Sequence, residues 1–456
     1  MKIDKATILK FDRPGPRYTS YPTAPEWSDQ ITEVAYAARL KAFGSSDKTM
    51  SLYIHIPFCE TLCYFCACTM NIRHTDEKYG DEYLNALAKE LFLTRKTIGQ
   101  RKYIKQLHWG GGTPSFLTEP QLRRLFGQIT EHFDVDPLGE IAVEVDPRRM
   151  TESKVQTLRA LGFNRISIGV QDFDEKVQQN INRIQPFELV ERFHQWCREV
   201  GFASVNFDLI YGLPYQTVDS FQRTIEQVVR LRPDRIALYS FAYLPWLKKH
   251  HQKLSADHLP SNDIKLDIFL AARHQLLNEG YQAVAMDHFA LEEDELAQAF
   301  RERRLYRNFM GYTVKPADEY LGLGVSAIGF LEKAFFQNHK TLPAYYQALK
   351  ENRLPIERGK ILSQDDIIRQ WVISYLMCHF AVNKQQFAAT FHQDFDTYFH
   401  DEQAHIEQCV KDGLMEIRGQ KLIVDGPGKL FVRNICMGFD WYLRQKNAHQ
   451  RFSRTV

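Results

Sequence analysis

Four of the eight cysteines, Cys59, Cys63, Cys66 and Cys68, fall within ten residues in CETLCYFCAC, whereas Cys197, Cys378, Cys409 and Cys436 are scattered. A disulfide framework fits neither a chain this long nor a reducing compartment. The crowded four therefore read as a metal or redox site, and the scattered four as small buried apolar residues. Three residues separate Cys59 from Cys63, and two separate Cys63 from Cys66. Three thiolates on one short loop can each hold one iron of a cubane iron–sulfur cluster, leaving the fourth iron open to an outside chelating ligand. Zinc is the competing reading, but zinc knuckles pair two close cysteines with a distant second pair or with histidines. No second cysteine pair occurs in the sequence.

Elements must hold this loop, and the sequence supplies a regular set. Short β-branched runs at 51–58, 103–109, 140–145, 164–170, 204–211 and 234–241 alternate with stretches of helical periodicity such as DEYLNALAKELFLTRK and VDSFQRTIEQVVRLR. Strands alternating with helices predict parallel βαβ units, and six or more such units predict a full or partial α/β barrel. Barrel enzymes gather chemistry at the carboxyl ends of their strands. Cys59 follows the first run, Gly110 to Thr113 follow the second, Glu144 and Asp146 close the third, Gln171 follows the fourth, Asp208 lies late in the fifth, and Ala242 follows the sixth.

The flanks differ. Residues 1–48 contain GPRYTSYPT, lack helical periodicity and predict an extended arm; 49–355 predict the barrel. Residues 356–456 predict a mainly helical domain whose helices, hairpin (LMEIRGQKLIVDG) and last helix through MGFDWYLRQKNAHQRF resemble a winged helix. That domain does not read as a nucleic-acid reader. The helix expected from Asp401 to Asp412 sets Asp401, Glu402, Glu407 and Asp412 against Lys411, a balance phosphates repel. Lys+Arg minus Asp+Glu is 58 − 56 = +2, which excludes a strong field toward nucleic acid or anionic lipid. No apolar run approaches the ~20 residues of a membrane span, and the charged start lacks a signal peptide's apolar region, so a cytoplasmic chain is expected.

Taken singly, most of these residues have plainer explanations. A glycine run also serves tight turns, Asp208 could belong to a buried ion pair, Glu144 and Asp146 could simply end a strand before Pro147, and Tyr18 and Tyr21 could only supply buried area. The constellation carries more than its members.

The cysteine spacing is that of radical S-adenosylmethionine enzymes. GPRYTSYPTA, YIHIPFCETLCYFCAC, LHWGGGTP, VEVDPR, GVQDF, DLIYGLP, MDHFA, RNFMGYT, LGLGVSAIG and RNICMGFDWYLRQK, in order along nearly the whole chain, resemble the oxygen-independent coproporphyrinogen III oxidases of that class. Cys68 and the long arm are of the oxidase type, since the related heme chaperones typically carry an aromatic residue at that position and lack the arm. One departure is Gly438, where the family often has a second cysteine after Cys436. The resemblance implies a partial barrel of the radical S-adenosylmethionine type, a [4Fe-4S] cluster on Cys59, Cys63 and Cys66, and two molecules of S-adenosylmethionine. Tyr53, Gly111, Glu144 and Ile328 would line the first molecule. Phe65, Gly112, Thr113, Gln171, Arg183, Asp208 and Ala242 would surround the second.

The implied reaction turns two propionates of coproporphyrinogen III into vinyl groups by way of a 5′-deoxyadenosyl radical, in heme biosynthesis. The expected partners are the tetrapyrrole substrate and an electron donor such as a flavodoxin system, with the chain itself a monomer. Because the substrate carries four carboxylates, arginines are expected at the mouth, with Arg17 and Arg433 as candidates. Rival readings are a radical enzyme that modifies or degrades heme, a heme carrier without turnover, and a redox-sensing regulator, the last disfavoured by the acidic tail.

Overall fold

The computed structural model describes residues 10–11, 13–74 and 76–445. The six β-branched runs are strands β1 (Met50–Ile56), β2 (Tyr103–Gly111), β3 (Asp134–Val145), β4 (Arg165–Gln171), β5 (Ser204–Tyr211) and β6 (Arg235–Ser240). They lie side by side in chain order, all parallel. β1 is buried along almost its whole length, because helices cover the outer face of such a sheet while its inner face lines the interior. Helices α2 (Glu77–Ile98), α3 (Glu119–His132), α4 (Glu152–Ala160), α5 (Phe187–Glu199) and α6 (Val218–Leu231) form successive crossovers. Local chemistry fixes their ends. Asp76 accepts a hydrogen bond from the Lys78 amide to start α2, and Gly99 at φ 87° ends it in the left-handed conformation that costs a glycine nothing.

The sheet continues beyond these six. Strands β7 (Tyr281–Val284) and β8 (His288–Leu291) extend it antiparallel from β6. On the other side β9 (Glu319–Leu323) joins β1 in parallel, followed by antiparallel β10 (Ile328–Leu331), β11 (Ala334–Asn338) and β12 (Ile356–Ile361). The order β12-β11-β10-β9-β1-β2-β3-β4-β5-β6-β8-β7 does not close on itself, and the β12 edge is capped by an antiparallel bridge between Ser28 and Gly359, so the barrel is partial. One apolar cluster fills the space between the sheet and its outer helices, with Leu52, Ile54, Leu107, Trp109, Ile168 and Phe207 almost fully buried. Side chains of this kind contribute roughly 1.5–3 kcal/mol each when buried.

Two expectations about the flanks need correction. The arm is not wholly extended: it contains α1 (Glu33–Gly44), which buries Tyr36, Leu40 and Phe43 at spacings of four and three. Alanines and the 77% exposed Val34 blur that period in the sequence. The extended part, around Gly15 to Thr23, is strapped to the carboxyl-terminal region. Arg433 Nε donates to Pro16 O at 2.9 Å, Gln370 Nε2 to Tyr21 O at 3.0 Å, and Tyr18 Oη to Asp440 Oδ2 at 3.1 Å. Tyr18 and Tyr21 are thereby buried in a second apolar cluster built on α7 (Asn262–Asn278) and α8 (Gln364–His379) and the segments after it.

The last helix is also not continuous. It divides into Val432–Met437 and Trp441–Gln445, because Asp440 Oδ1 accepts the amides of Tyr442 and Leu443 and starts a new helix; residues beyond 445 lie outside the described chain. A side chain at Gly438 would collide with the His405 ring, which accounts for glycine at this position. The expected hairpin, Met415–Arg418 with Lys421–Val424, gains a third strand, Ala381–Asn383. Among the described residues, no helix is long and apolar enough to cross a membrane.

Candidate active site

The cysteine loop leaves the end of β1 and returns to it. Phe58–Cys59 pairs in parallel with Asn71–Ile72, which closes the excursion at its base. Its tip is tied to neighbouring segments. Asn182 Nδ2 donates to Leu62 O at 2.8 Å, the Tyr64 amide donates to Ile181 O at 3.0 Å, and His250 Nε2 lies 2.6 Å from Cys66 O. Cys63 is buried, Cys59 and Cys66 are half-buried, and Cys68 is exposed.

The ground around the thiols is cationic. Arg183 Nη1 lies 3.5 Å and Arg148 Nη2 3.8 Å from Cys63 Sγ. A hydrogen bond from Cys68, helped by the charges of Lys248 and Arg183, pulls the Cys66 thiol down to about 7 against the effect of burial. Burial, with Cys66 and Cys63 alongside, pushes Cys59 up to about 12. Among the described residues, no group of three or more His, Cys, Asp or Glu side chains could hold a single metal ion. Three separate thiols beside fixed positive charge suit a cubane cluster, which spreads its ligands over three irons and carries net negative charge.

Opposite the thiols stands the end of β2. Gly111 at φ 122° has no room for a Cβ, which would lie 2.8 Å from the His55 ring. Gly112 would bring a Cβ within 2.7 Å of Phe58 O. Beside them His108 Nε2 bonds Glu144 at 2.8 Å and the Gly111 amide reaches the same carboxylate at 3.3 Å. Burial opposes ionisation of Glu144, but the His108 bond and charge outweigh it and hold the group below its ordinary value. Asp208 is different: burial pushes it up to about 6 even though Ser167 and Asn206 donate to it at 2.9 and 2.8 Å. Asp146 is held at about 2, against burial, by Arg183 and Arg148. Arg183 also donates to Gly169 O at 2.7 Å, and its Nε is buried without a hydrogen-bond partner.

The fold brings most of the expected residues to one place. Cys59, Cys63 and Cys66, Phe65, Gly111, Gly112 and Thr113, and Glu144, Gln171, Arg183 and Asp208 all line a cavity of ≈160 Å³. Gln171 enters it at φ 68°, where a bulge between Gly169 and Gln171 turns the end of β4; a residue other than glycine in that conformation is uncommon. Three expected residues lie outside this lining. The Tyr53 hydroxyl bonds His55 Nδ1 at 3.0 Å, and Tyr53 pairs with Gly322 of β9. Ile328 backbone packs so close to Gly322 that no side chain fits there, placing Tyr53 and Ile328 on the same flank of β1. Ala242 is half-buried just after Phe241, whose amide bonds Tyr211 O.

The sequence marked Asp146 at the carboxyl end of its strand but gave no role to Arg148 or Ser167, which the structure adds to the site. The sequence signal for Arg148 was VEVDPR itself, whose acid and arginine lie two residues apart across Pro147. Nothing local marked Ser167.

Beyond Asp208 a second chamber of ≈130 Å³ shares Glu144, Ser167 and Asp208 and reaches Tyr239 and His288. Next to it, Arg17, Asp287 and Arg433 border a small ≈40 Å³ cavity. Arg17 Nη1 lies 3.7 Å from Asp287 and its Nη2 donates to Ser240 O at 3.1 Å, while Arg307 donates to Arg17 O. Burial, with Arg17 close by, lowers Arg433 to about 9. Asp287 is held at about 2, against burial, by His288 and then Arg17 and Arg307.

Residues 53–228 match the family model of the radical SAM superfamily, and 362–431 match the HemN C-terminal domain. Among curated proteins, the oxygen-independent coproporphyrinogen III oxidase of Synechocystis sp. is 42% identical over 454 residues, covering 98% of this chain and 97% of its own. That of Escherichia coli is 42% identical over 453 residues, covering 99% and 98%. The solved structure of coproporphyrinogen III oxidase (HemN) from Escherichia coli, described as a radical SAM enzyme, superposes with a TM-score of 0.91 at 40% identity, over 97% of this chain and 100% of that one.

Proposed function

The chain belongs to the radical SAM superfamily and, within it, to the oxygen-independent coproporphyrinogen III oxidases, and on that premise we propose how its own residues carry the family's reaction. The enzyme converts two propionate side chains of coproporphyrinogen III into vinyl groups in heme biosynthesis, with loss of two molecules of carbon dioxide. Bound together, a reduced [4Fe-4S] cluster and S-adenosylmethionine supply a carbon radical strong enough to take hydrogen from an unactivated C–H bond.

Cys59, Cys63 and Cys66 hold the cluster, and Arg148 and Arg183 balance its negative charge. Gly111 and Gly112 let a ligand approach the backbone closely, and Glu144, ionised through His108, accepts hydrogen bonds from an ammonium or from ribose hydroxyls. Tyr53 and Ile328 complete the flank of the first S-adenosylmethionine; Phe65, Thr113, Gln171, Arg183, Asp208 and Ala242 surround the second. The unpartnered Nε of Arg183 leaves a donor for a ligand carboxylate. At the far end the guanidinium groups of Arg17, Arg307 and Arg433 gather near Asp287, a concentration of positive charge that suits the carboxylates of a tetrapyrrole.

The observation that carries this reading is the common cavity, in which the cysteine loop, a glycine strand end and the carboxylates Glu144, Asp146 and Asp208 face one another. Anaerobic turnover of reconstituted protein with reductant, S-adenosylmethionine and coproporphyrinogen III tests it, with heme as a parallel substrate. Divinyl product formed together with 5′-deoxyadenosine is expected. Intact coproporphyrinogen beside consumed heme would transfer the protein to the heme-modifying enzymes, and tight heme binding without any 5′-deoxyadenosine would make it a carrier.

A further inference from the structure

The reaction draws one electron into the cluster for each S-adenosylmethionine cleaved, so something must dock beside the cysteine loop. Electron tunnelling falls steeply with distance, which makes the covering of that loop the natural entry. The covering is the segment after β6, residues 244–260. It holds the loop through its main chain: His250 Nε2 lies 2.6 Å from Cys66 O, and Lys248 Nζ donates to Cys68 O at 3.3 Å. Lys253 lies over the ring of Tyr64, 5.0 Å from its centroid.

The outer face of this segment has an unusual composition. Trp246 and Leu247 are consecutive and 68% and 65% exposed. Lys249 and Lys253 are exposed beside them. Over 244–260 the formal charge is three lysines (248, 249, 253) against Asp257, a net of +2. That equals the net charge of the entire 456-residue chain. An exposed apolar pair in a segment of net positive charge, whose Lys248 and His250 bond the carbonyls of two cluster-loop cysteines, combines a contact surface with a path inward.

We propose that the Trp246–Leu247 patch with its lysine rim is the docking surface for a one-electron carrier protein whose exposed prosthetic group is ringed by acidic side chains. The proposal rests on the reading of Cys59, Cys63 and Cys66 as cluster ligands. In the step, the reduced carrier loses one electron and the cluster gains it, with no bond formed or broken. Interfaces of this type are small and transient, and opposite charge chiefly speeds encounter and orients the partner. Two exposed apolar side chains and a few lysines are therefore of the right scale. A second copy of this chain fits less well, since two like-charged rims would face each other.

The test uses the reconstituted holoenzyme and an acidic flavodoxin as probe. Binding is followed by surface plasmon resonance at 50 and 300 mM salt, and cluster reduction by stopped-flow absorbance. Trp246→Ala combined with Lys249→Glu should weaken flavodoxin binding about tenfold and slow cluster reduction by flavodoxin to a similar degree, while reduction by dithionite, which needs no docking, matches the parent. Raising the salt should weaken parent binding more than variant binding. Unchanged flavodoxin affinity and reduction rate in the variant would overturn the proposal, as would a variant altered only in its oligomeric state. Lys249→Glu alone, on an exposed side chain, keeps the test valid if the double variant folds poorly. A protein that takes up no cluster, or whose cluster dithionite cannot reduce, would overturn the reading of the cysteines instead.

Discussion

The cysteine end and the carboxylate end of the same cavity are built in opposite ways. The three thiols come from eight consecutive residues, and two guanidinium groups, Arg148 and Arg183, both reach Cys63. Glu144 and Asp208 come from β3 and β5, with β4 between them, and each has a different neighbour to settle its charge. His108 keeps Glu144 ionised, whereas Asp208, held by neutral Ser167 and Asn206, sits near 6 because burial dominates. A local loop can present identical ligands at fixed spacing. Separate strands can instead present two like groups and give them unlike proton affinities, so that the carboxylate end differs from the thiol end in how its charge is set.

The comparison breaks most completely at the thiols. Cys63→Ser removes one of the three proposed ligands, so iron content and activity should fall below about 1% of the parent, measured by iron and sulfide analysis and by 5′-deoxyadenosine formation. Retention of a full cluster in this variant would mean that Cys68 can substitute for it and that the division between the two ends is less strict.

Arg183 joins the two ends, touching Cys63, Asp146 and Gly169 O. Arg183→Ala should lower kcat/KM for S-adenosylmethionine roughly 100-fold, since removing one partner from a buried ionic network costs several kcal/mol. Arg183→Lys should recover part of the loss but not all of it, because an ammonium cannot reproduce the fork. Equal loss in both variants would show that geometry, rather than charge, is what the bridge supplies.

The smallest effect sharpens the carboxylate end. A buried acid raised from 3.8 to about 6 destabilises the fold where it is ionised, so its cost is absent below about pH 4 and complete above about pH 6. Asp208→Asn should therefore raise the melting temperature of the cluster-free protein at pH 8 and leave it unchanged at pH 4. In the loaded enzyme the same substitution should remove the weakening of S-adenosylmethionine binding as pH falls through about 6. A gain in stability that does not vary with pH would place the benefit in packing.

Much of this was legible in the residues. Five of the six β-branched runs give strands within two residues of their expected limits, and the third begins six residues earlier, at Asp134, because β-branched and aromatic residues suit the pleated, largely buried strand. The cysteine spacing and the glycine run were equally visible, since both are local. The helix Glu33–Gly44 was not: its buried Tyr36, Leu40 and Phe43 are diluted by alanines and an exposed valine. The break in the last helix was missed because Asp440 caps through its own side chain, a competition that periodicity does not register.

The sequence by itself determined the cysteine spacing, the order of the strands and which residues stand at their carboxyl ends, because spacing and period are properties of a chain. Tertiary structure alone decided that Arg148 and Arg183, 35 residues apart, converge on one thiol, that His108 of β2 sets the charge of Glu144 on β3, and that the arm's Arg17 meets Arg433 from the far end of the chain around one carboxylate. Burial and the nearest opposite charge fix the state of an ionisable group, and both exist only once distant segments have packed.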